Sequence, residues 1–294
     1  MRRLLFFLSL LAVCWEFAGA AAAGEPVPVY VSILPQRDFV QQIAGDRATV
    51  EVMVLPGANP ATYEPKAQQM AGLARARIYF AVGAPFEAVW LPRFAAANPS
   101  MRIVHTDAGI AKRTMPAHYH GARAGTDGDR DHGIRDPHVW LSPPLVKIQA
   151  WAILEALVMV DPDHRDVYEA NWRGFVARLE ALDRRLRKTF SGRRGMRFMV
   201  FHPAWGYFAD AYGLQQVPIE LEGKAPKPAR LRELVEIARR HDIRVIFVQP
   251  QFSHRSAELV AREIGARVVT ADPLPADWFA NMIAVAAKFE SALR

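Results

Sequence analysis

Cysteine is nearly missing from this chain: of 294 residues only Cys14 is one. It lies in an N-terminal stretch that reads as a leader, so the expected mature chain has no thiol. That excludes a disulfide framework and thiolate chemistry, and leaves His, Asp, Glu and water as donors for any metal. A second absence is an apolar run of membrane-spanning length. The leader's apolar stretch, 4–15, is shorter than the roughly 20 residues a spanning helix needs, and no later segment is expected to cross a bilayer. A third is a basic stripe with aromatic or helical readers. The net charge is +7, but Lys and Arg are scattered, so no nucleic-acid role is expected. The densest basic group, 184–188, reads as the solvated face of a helix. No short internal repeat is present.

What remains is the composition of a globular protein with real cores: 51% hydrophobic and 23% charged residues. Arg2 and Arg3 begin a charged region, the apolar stretch follows, and Ala18-Gly19-Ala20 supplies small residues for cleavage. Residues 1–23 are therefore expected to be a signal peptide and the protein to be exported to the periplasm. Val13 is bulky where a lipoprotein signal wants a small residue, so anchoring through Cys14 is not expected.

The rest alternates β-branched apolar runs with helix-sized segments, the pattern of a parallel sheet. Strands are expected at 27–33, 49–55, 78–82 and 102–104, with helices at 36–44 and 65–76. Periodicity vanishes over 111–137, which holds four glycines and His118, His120 and His132. An apolar helix follows at 143–160. From Asp161 the longest periodic segment runs to about 190, near 30 residues or roughly 40 Å at 1.5 Å per residue, longer than one small domain and suited to a strut. The alternation then resumes, with strands at 198–201, 215–219, 245–248 and 267–270 and helices at 203–212, 229–241, 256–264 and 278–293. The expected fold is α/β: two lobes with parallel sheets flanked by helices, joined by one long rigid helix. The divisions are 24–160, with its His-bearing loop at 111–137, then 161–190 for the connecting helix and 191–294.

Chemistry is expected where strands hand over to helices, because open α/β sheets bind ligands at that edge. Phe198-Met199-Val200-Phe201-His202-Pro203 ends a strand on His202. Val268-Val269-Thr270-Ala271-Asp272-Pro273 ends another on Asp272. His138 opens the helix after the long loop. Singly, a histidine at a strand end is more often a hydrogen-bonding residue, and an aspartate before proline a turn residue. Their shared topological position is what suggests a metal. Two imidazoles and a carboxylate suit zinc or manganese, and with ligands this dispersed the site would form only in the folded protein, between lobes.

Six motifs extend this reading: Pro56-Gly57-Ala58-Asn59-Pro60-Ala61-Thr62-Tyr63-Glu64-Pro65, Asp136-Pro137-His138-Val139-Trp140-Leu141-Ser142-Pro143, the His202 segment, Glu222-Gly223-Lys224, Phe247-Val248-Gln249-Pro250-Gln251-Phe252-Ser253 and Asp272-Pro273-Leu274. Together they resemble the metal-binding solute-binding proteins of ABC transporters for zinc and manganese, the cluster with a rigid interdomain helix. The resemblance covers nearly all of the expected mature chain. It implies a monomer without enzymatic activity that holds Zn2+, or alternatively Mn2+, between lobes and hands it to an ABC permease in the inner membrane. It places His138, His202 and Asp272 at three ligand positions.

The chain departs from that pattern at Ala61, where the family has a ligand histidine, and at Gln249, where a glutamate is common. The fourth ligand is then water, a loop histidine (His118, His120 or His132) or Glu64. Two other readings stay open: an exported zinc hydrolase, for which an open coordination position is the signature, and a metal-free adhesin on the same fold.

Overall fold

The computed structural model describes residues 25–115, 135–220, 226–252 and 255–293. The first half contains β1 (Val27–Val31), α1 (Leu34–Ala44), β2 (Ala48–Val52), α2 (Ala67–Leu73), β3 (Ile78–Ala81), α3 (Glu87–Ala97) and β4 (Arg102–His105). Then come α4 (Pro143–Val160) and α5 (Arg165–Thr189). The second half contains β5 (Arg197–Val200), α6 (Gly206–Tyr212), β6 (Gln215–Pro218), α7 (Pro228–Arg240), β7 (Val245–Val248), α8 (Arg255–Ile264), β8 (Arg267–Thr270) and α9 (Trp278–Ala292).

The strands form two four-stranded sheets, ordered β2-β1-β3-β4 and β6-β5-β7-β8, with every pairing parallel. Both sheets thus share one winding order. In each, the chain moves outward one way and then returns to the other side of its first strand, so the reversal falls between β1 and β3 and between β5 and β7. Crevices at such reversals are where α/β sheets hold ligands.

Two-residue alternation sorts the second sheet's side chains. Phe198, Val200 and Phe247 join a large cluster that also contains the first sheet's core, α4, α5 and α9. Met199, Phe201, Ile246 and Val248 join a smaller cluster under α7 and α8. The larger cluster runs unbroken from one sheet to the other. Its spine is α5, 25 residues and about 38 Å long, which packs on α1 and α4 in one lobe and α9 in the other.

Several elements differ from the sequence expectation. The segment left unassigned between 83 and 101 contains α3, although Pro92 lies inside it. Tertiary bonds anchor its start: the buried Glu87 carboxylate accepts from the Val82 and Gly83 N–H groups and from the Ser32 hydroxyl. The helix after His202 begins at Gly206 rather than at Pro203. There the Gln216 side chain accepts from Trp205 N–H and donates to the Pro203 carbonyl, holding 203–205 in a turn. His138 does not open α4. It precedes a short 3-10 turn, Val139–Leu141, and Ser142 intervenes before the helix. Finally, α4 is long and apolar enough, by length and composition, to cross a membrane, contrary to expectation. Half of it is buried inside the fold, where it packs against α5 and α1 as a core helix.

Candidate metal centre

The second lobe offers His202 two residues past β5, at the β5–β7 reversal. Its backbone is fixed from β7: the Gln249 side chain accepts from His202 N–H at 3.1 Å and donates to His202 C=O at 2.9 Å. One face of the imidazole stacks on Phe252, with centroids 4.6 Å apart and planes 23° apart. Nδ1 hydrogen-bonds the Oε1 atom of Glu220, a carboxylate only 2% exposed that follows β6.

The first half contributes His138, itself buried. Asp136 Oδ1 accepts from His138 N–H at 3.0 Å and bonds Nδ1 at 2.8 Å. Asp136 is 2% exposed and is gripped in turn: its N–H donates to Arg113 C=O, and its C=O accepts from the Tyr207 hydroxyl on α6. That same hydroxyl accepts from Arg113 N–H. The two histidines therefore come from different lobes and are positioned by the same construction, a buried carboxylate on Nδ1.

Their rings meet. His138 Nε2 and His202 Nε2 are 3.3 Å apart, with ring centroids at 5.1 Å. Since each carboxylate is an acceptor, each Nδ1 donates to it, and Nε2 is the nitrogen of each ring turned to the other. Burial holds the His202 pKa below the ordinary histidine value against the raising effect of Glu220, and the neighbouring His138 lowers it further. Among the described residues no Lys or Arg forms an ion pair with Asp136 or Glu220. Two buried carboxylates thus stand behind the two imidazoles.

Asp272 follows β8, and its Oδ1 accepts from Gln251 Nε2 and from Leu274 N–H, both at 2.9 Å. Trp140 ties this strand end to the His138 segment: its ring lies 5.2 Å from that of His138, and its indole N–H donates to Pro273 C=O. Among the described residues no three His, Cys, Asp or Glu side chains stand together as a ligand group, so the structure joins the two histidines and leaves Asp272 outside the pair. Ala61 is exposed, with its N–H on Asn59 Oδ1, and Glu64 is exposed. His118, His120 and His132 lie outside the described residues, as do Glu222-Gly223-Lys224 and Ser253.

Sequence reasoning passed over Glu220 and the role of Asp136. The signal for Glu220 was its place, a carboxylate closing the apolar Val217-Pro218-Ile219 run at the ligand edge.

The sequence profile of the periplasmic zinc-uptake complex component A, ZnuA, matches residues 29–292. The chain belongs to the ZnuA family. The high-affinity zinc uptake system protein ZnuA of Bacillus subtilis (strain 168) is 30% identical over 268 residues, which cover 88% of this chain and 82% of that relative. A crystal structure of ZnuA superposes with a TM-score of 0.84 at 41% identity, covering 92% of this chain and all of that one. A zinc-bound ZnuA lacking residues 138–173 of its own numbering gives a TM-score of 0.82 at 42% identity, covering 91% and 98%. Membership makes this chain a metal-binding, extracytoplasmic transport component, and both the two-lobe architecture and the long connecting helix agree with the family's fold.

Proposed function

We propose that this protein captures Zn2+ between its lobes through His138, His202 and Asp272 and delivers it to an ABC permease. The observation that carries the reading is the approach of the two Nε2 atoms to 3.3 Å, with a carboxylate on each ring's Nδ1. Two lone pairs facing one another repel unless a cation lies between them. Two nitrogens bound tetrahedrally to zinc at about 2.0–2.1 Å are themselves about 3.3–3.4 Å apart. Asp136 and Glu220 supply the carboxylate that fixes each ring's tautomer and raises its basicity, and their charge balances the cation.

Asp272 completes a three-residue set once its carboxylate turns from Gln251 toward the rings. Water, or a histidine of the 116–134 segment, fills the fourth position that Ala61 leaves. Two imidazoles favour zinc over manganese, which prefers oxygen donors, and the zinc-named relatives point the same way. A hydrolase reading gains nothing here, because both buried carboxylates are bound to imidazole and neither is placed to activate water.

The test is an equilibrium zinc titration against a competing chelator. His202→Ala should abolish stoichiometric zinc binding while far-UV circular dichroism stays unchanged. An unaltered affinity would remove His202 from the site and the proposal with it.

A further inference from the structure

The metal centre makes no use of the chain's positive charge. That charge looks scattered in sequence, but the fold gathers it. In parallel β/α units every strand begins, and every returning helix ends, at the amino edge of the sheet, the edge opposite the metal centre. In the second lobe residues 183–197 lead from the end of α5 into β5, 239–244 from α7 into β7, and 262–267 from α8 into β8. The first stretch sets seven Lys or Arg against Asp183, the second three against Asp242, and the third two against Glu263. Together these three connections carry a net +9, against +7 for the whole chain, so the remainder of the molecule is slightly acidic.

Register brings part of this charge to one end of the sheet, on both of its faces. Met199 pairs with Ile246, which sets Arg197 level with Arg244, and Arg267 pairs with Val245 on the next strand. Three adjacent strands, about 4.8 Å apart, thus open on arginine. Internal neutralisation is slight. Asp183 pairs with Arg187, Asp242 with Arg244 and Glu290 with Arg193. Arg185, Arg194, Arg240 and Arg267 are exposed and form no ion pair among the described residues. His241, 2.7 Å from Arg197 Nη1, has its pKa held below the ordinary value by desolvation and by the charges of Arg197 and Arg240. Complementing helix dipoles explains cations in the last turns of α5, α7 and α8. It does not explain Arg194, Arg197, Arg244 and Arg267, which lie in connections and strand starts.

We propose that this end of the second lobe is a docking surface for the anionic phospholipid head groups of a bilayer. A cluster of exposed arginines spread across one end of a lobe suits a planar array of phosphates. It suits nucleic acid poorly: among the described residues the only exposed large aromatic is Trp151, on α4, so this end has no stacking platform. Docking here leaves the opposite, metal-bearing edge uncovered, and it concentrates an exported metal carrier in the plane where a permease would meet it.

Vesicle flotation tests this with the protein as the cell exports it. Binding is expected to vesicles of mixed phosphatidylglycerol and phosphatidylcholine and not to phosphatidylcholine alone. It should fade as salt rises from about 0.1 M to about 1 M, where the screening length shrinks from about 10 Å to about 3 Å. Replacing Arg185, Arg194, Arg240 and Arg267 together by Gln should weaken binding several-hundred-fold, at roughly fivefold per arginine, with zinc titration unchanged. The pair Arg75→Gln and Arg102→Gln, at the other sheet's amino edge, should leave it intact. Equal binding to both vesicle types, equal loss from the Arg75/Arg102 pair, or binding to duplex DNA without binding to vesicles would each overturn the proposal. Should the fourfold variant fail to fold, lipid selectivity and salt dependence of the unsubstituted protein still decide it.

Discussion

At the residue scale the proposed centre rests on two carboxylates placed behind its histidines rather than on the ligands alone. Glu220 does two things to His202: it fixes Nδ1 as the protonated nitrogen, and its charge raises the imidazole pKa that burial lowers. These effects separate in one variant. Glu220→Gln keeps an acceptor for Nδ1–H but removes the charge, so zinc affinity at pH 7.5 should fall about 10–100-fold. Only the neutral imidazole binds metal, and in the native protein its pKa already lies below the ordinary histidine value. Proton competition from His202 is therefore absent above about pH 6.5 and grows as pH falls through the folded pKa, by up to about tenfold per unit. In Glu220→Gln that pKa is lower still, so the decline should begin at more acid pH even though the plateau is weaker. Titrations from pH 8 to 5 on both proteins check this; an unshifted onset would mean that Glu220 only packs. His202 and Asp272 were singled out in sequence because each follows an apolar run, and His138 because it was expected to open a helix, although a 3-10 turn separates it from α4. Glu220 was not singled out, since a buried acid after a strand resembles any loop acid until its partner, 18 residues away, is seen.

At the element scale, strands were legible and their dependents less so. β7 and β8 have the bounds their apolar runs indicate, because a buried strand writes its limits in side-chain polarity. The start of α6 and the presence of α3 were hidden, since both rest on side chains of distant elements: Gln216 beside Trp205, and Ser32 beside Glu87. The β5–β7 reversal shows the same dependence. Gln249, fully buried, satisfies both backbone groups of His202. Gln249→Leu preserves bulk but strands the His202 N–H, at a cost of about 1–3 kcal/mol, while His202 C=O keeps the Ala204 N–H as donor. Urea unfolding should show a loss of roughly 1–3 kcal/mol, and zinc affinity should drop with it because His202 loses its placement. A variant as stable as the native protein would show that water replaces the amide.

At the scale of the whole molecule, two lobes of matching topology suggest two units that move or unfold separately. The packing opposes this. The larger cluster passes through α5 from the first sheet to the second without a polar break, and Trp278 lies at the seam. It is fully buried, meets Phe39 of α1 edge-on at 5.3 Å, donates its indole N–H to Trp140 C=O, and its backbone N–H donates to Asp38. Trp140 in turn donates to Pro273, so one chain of contacts links α1, the His138 segment, the end of β8 and α9. Independent lobes would need an interface that opens cheaply; here opening it exposes two buried tryptophans. The native protein should therefore unfold in one transition, with near-UV and far-UV circular dichroism coincident across the urea range. Trp278→Ala should cost about 3–5 kcal/mol, as large aromatic truncations in cores do. It should also split the transition, because the cavity removes the packing that couples the lobes. Two resolved transitions in the native protein would show that the shared core does not bind the lobes into one cooperative unit, and capture of the metal could then proceed by their independent movement.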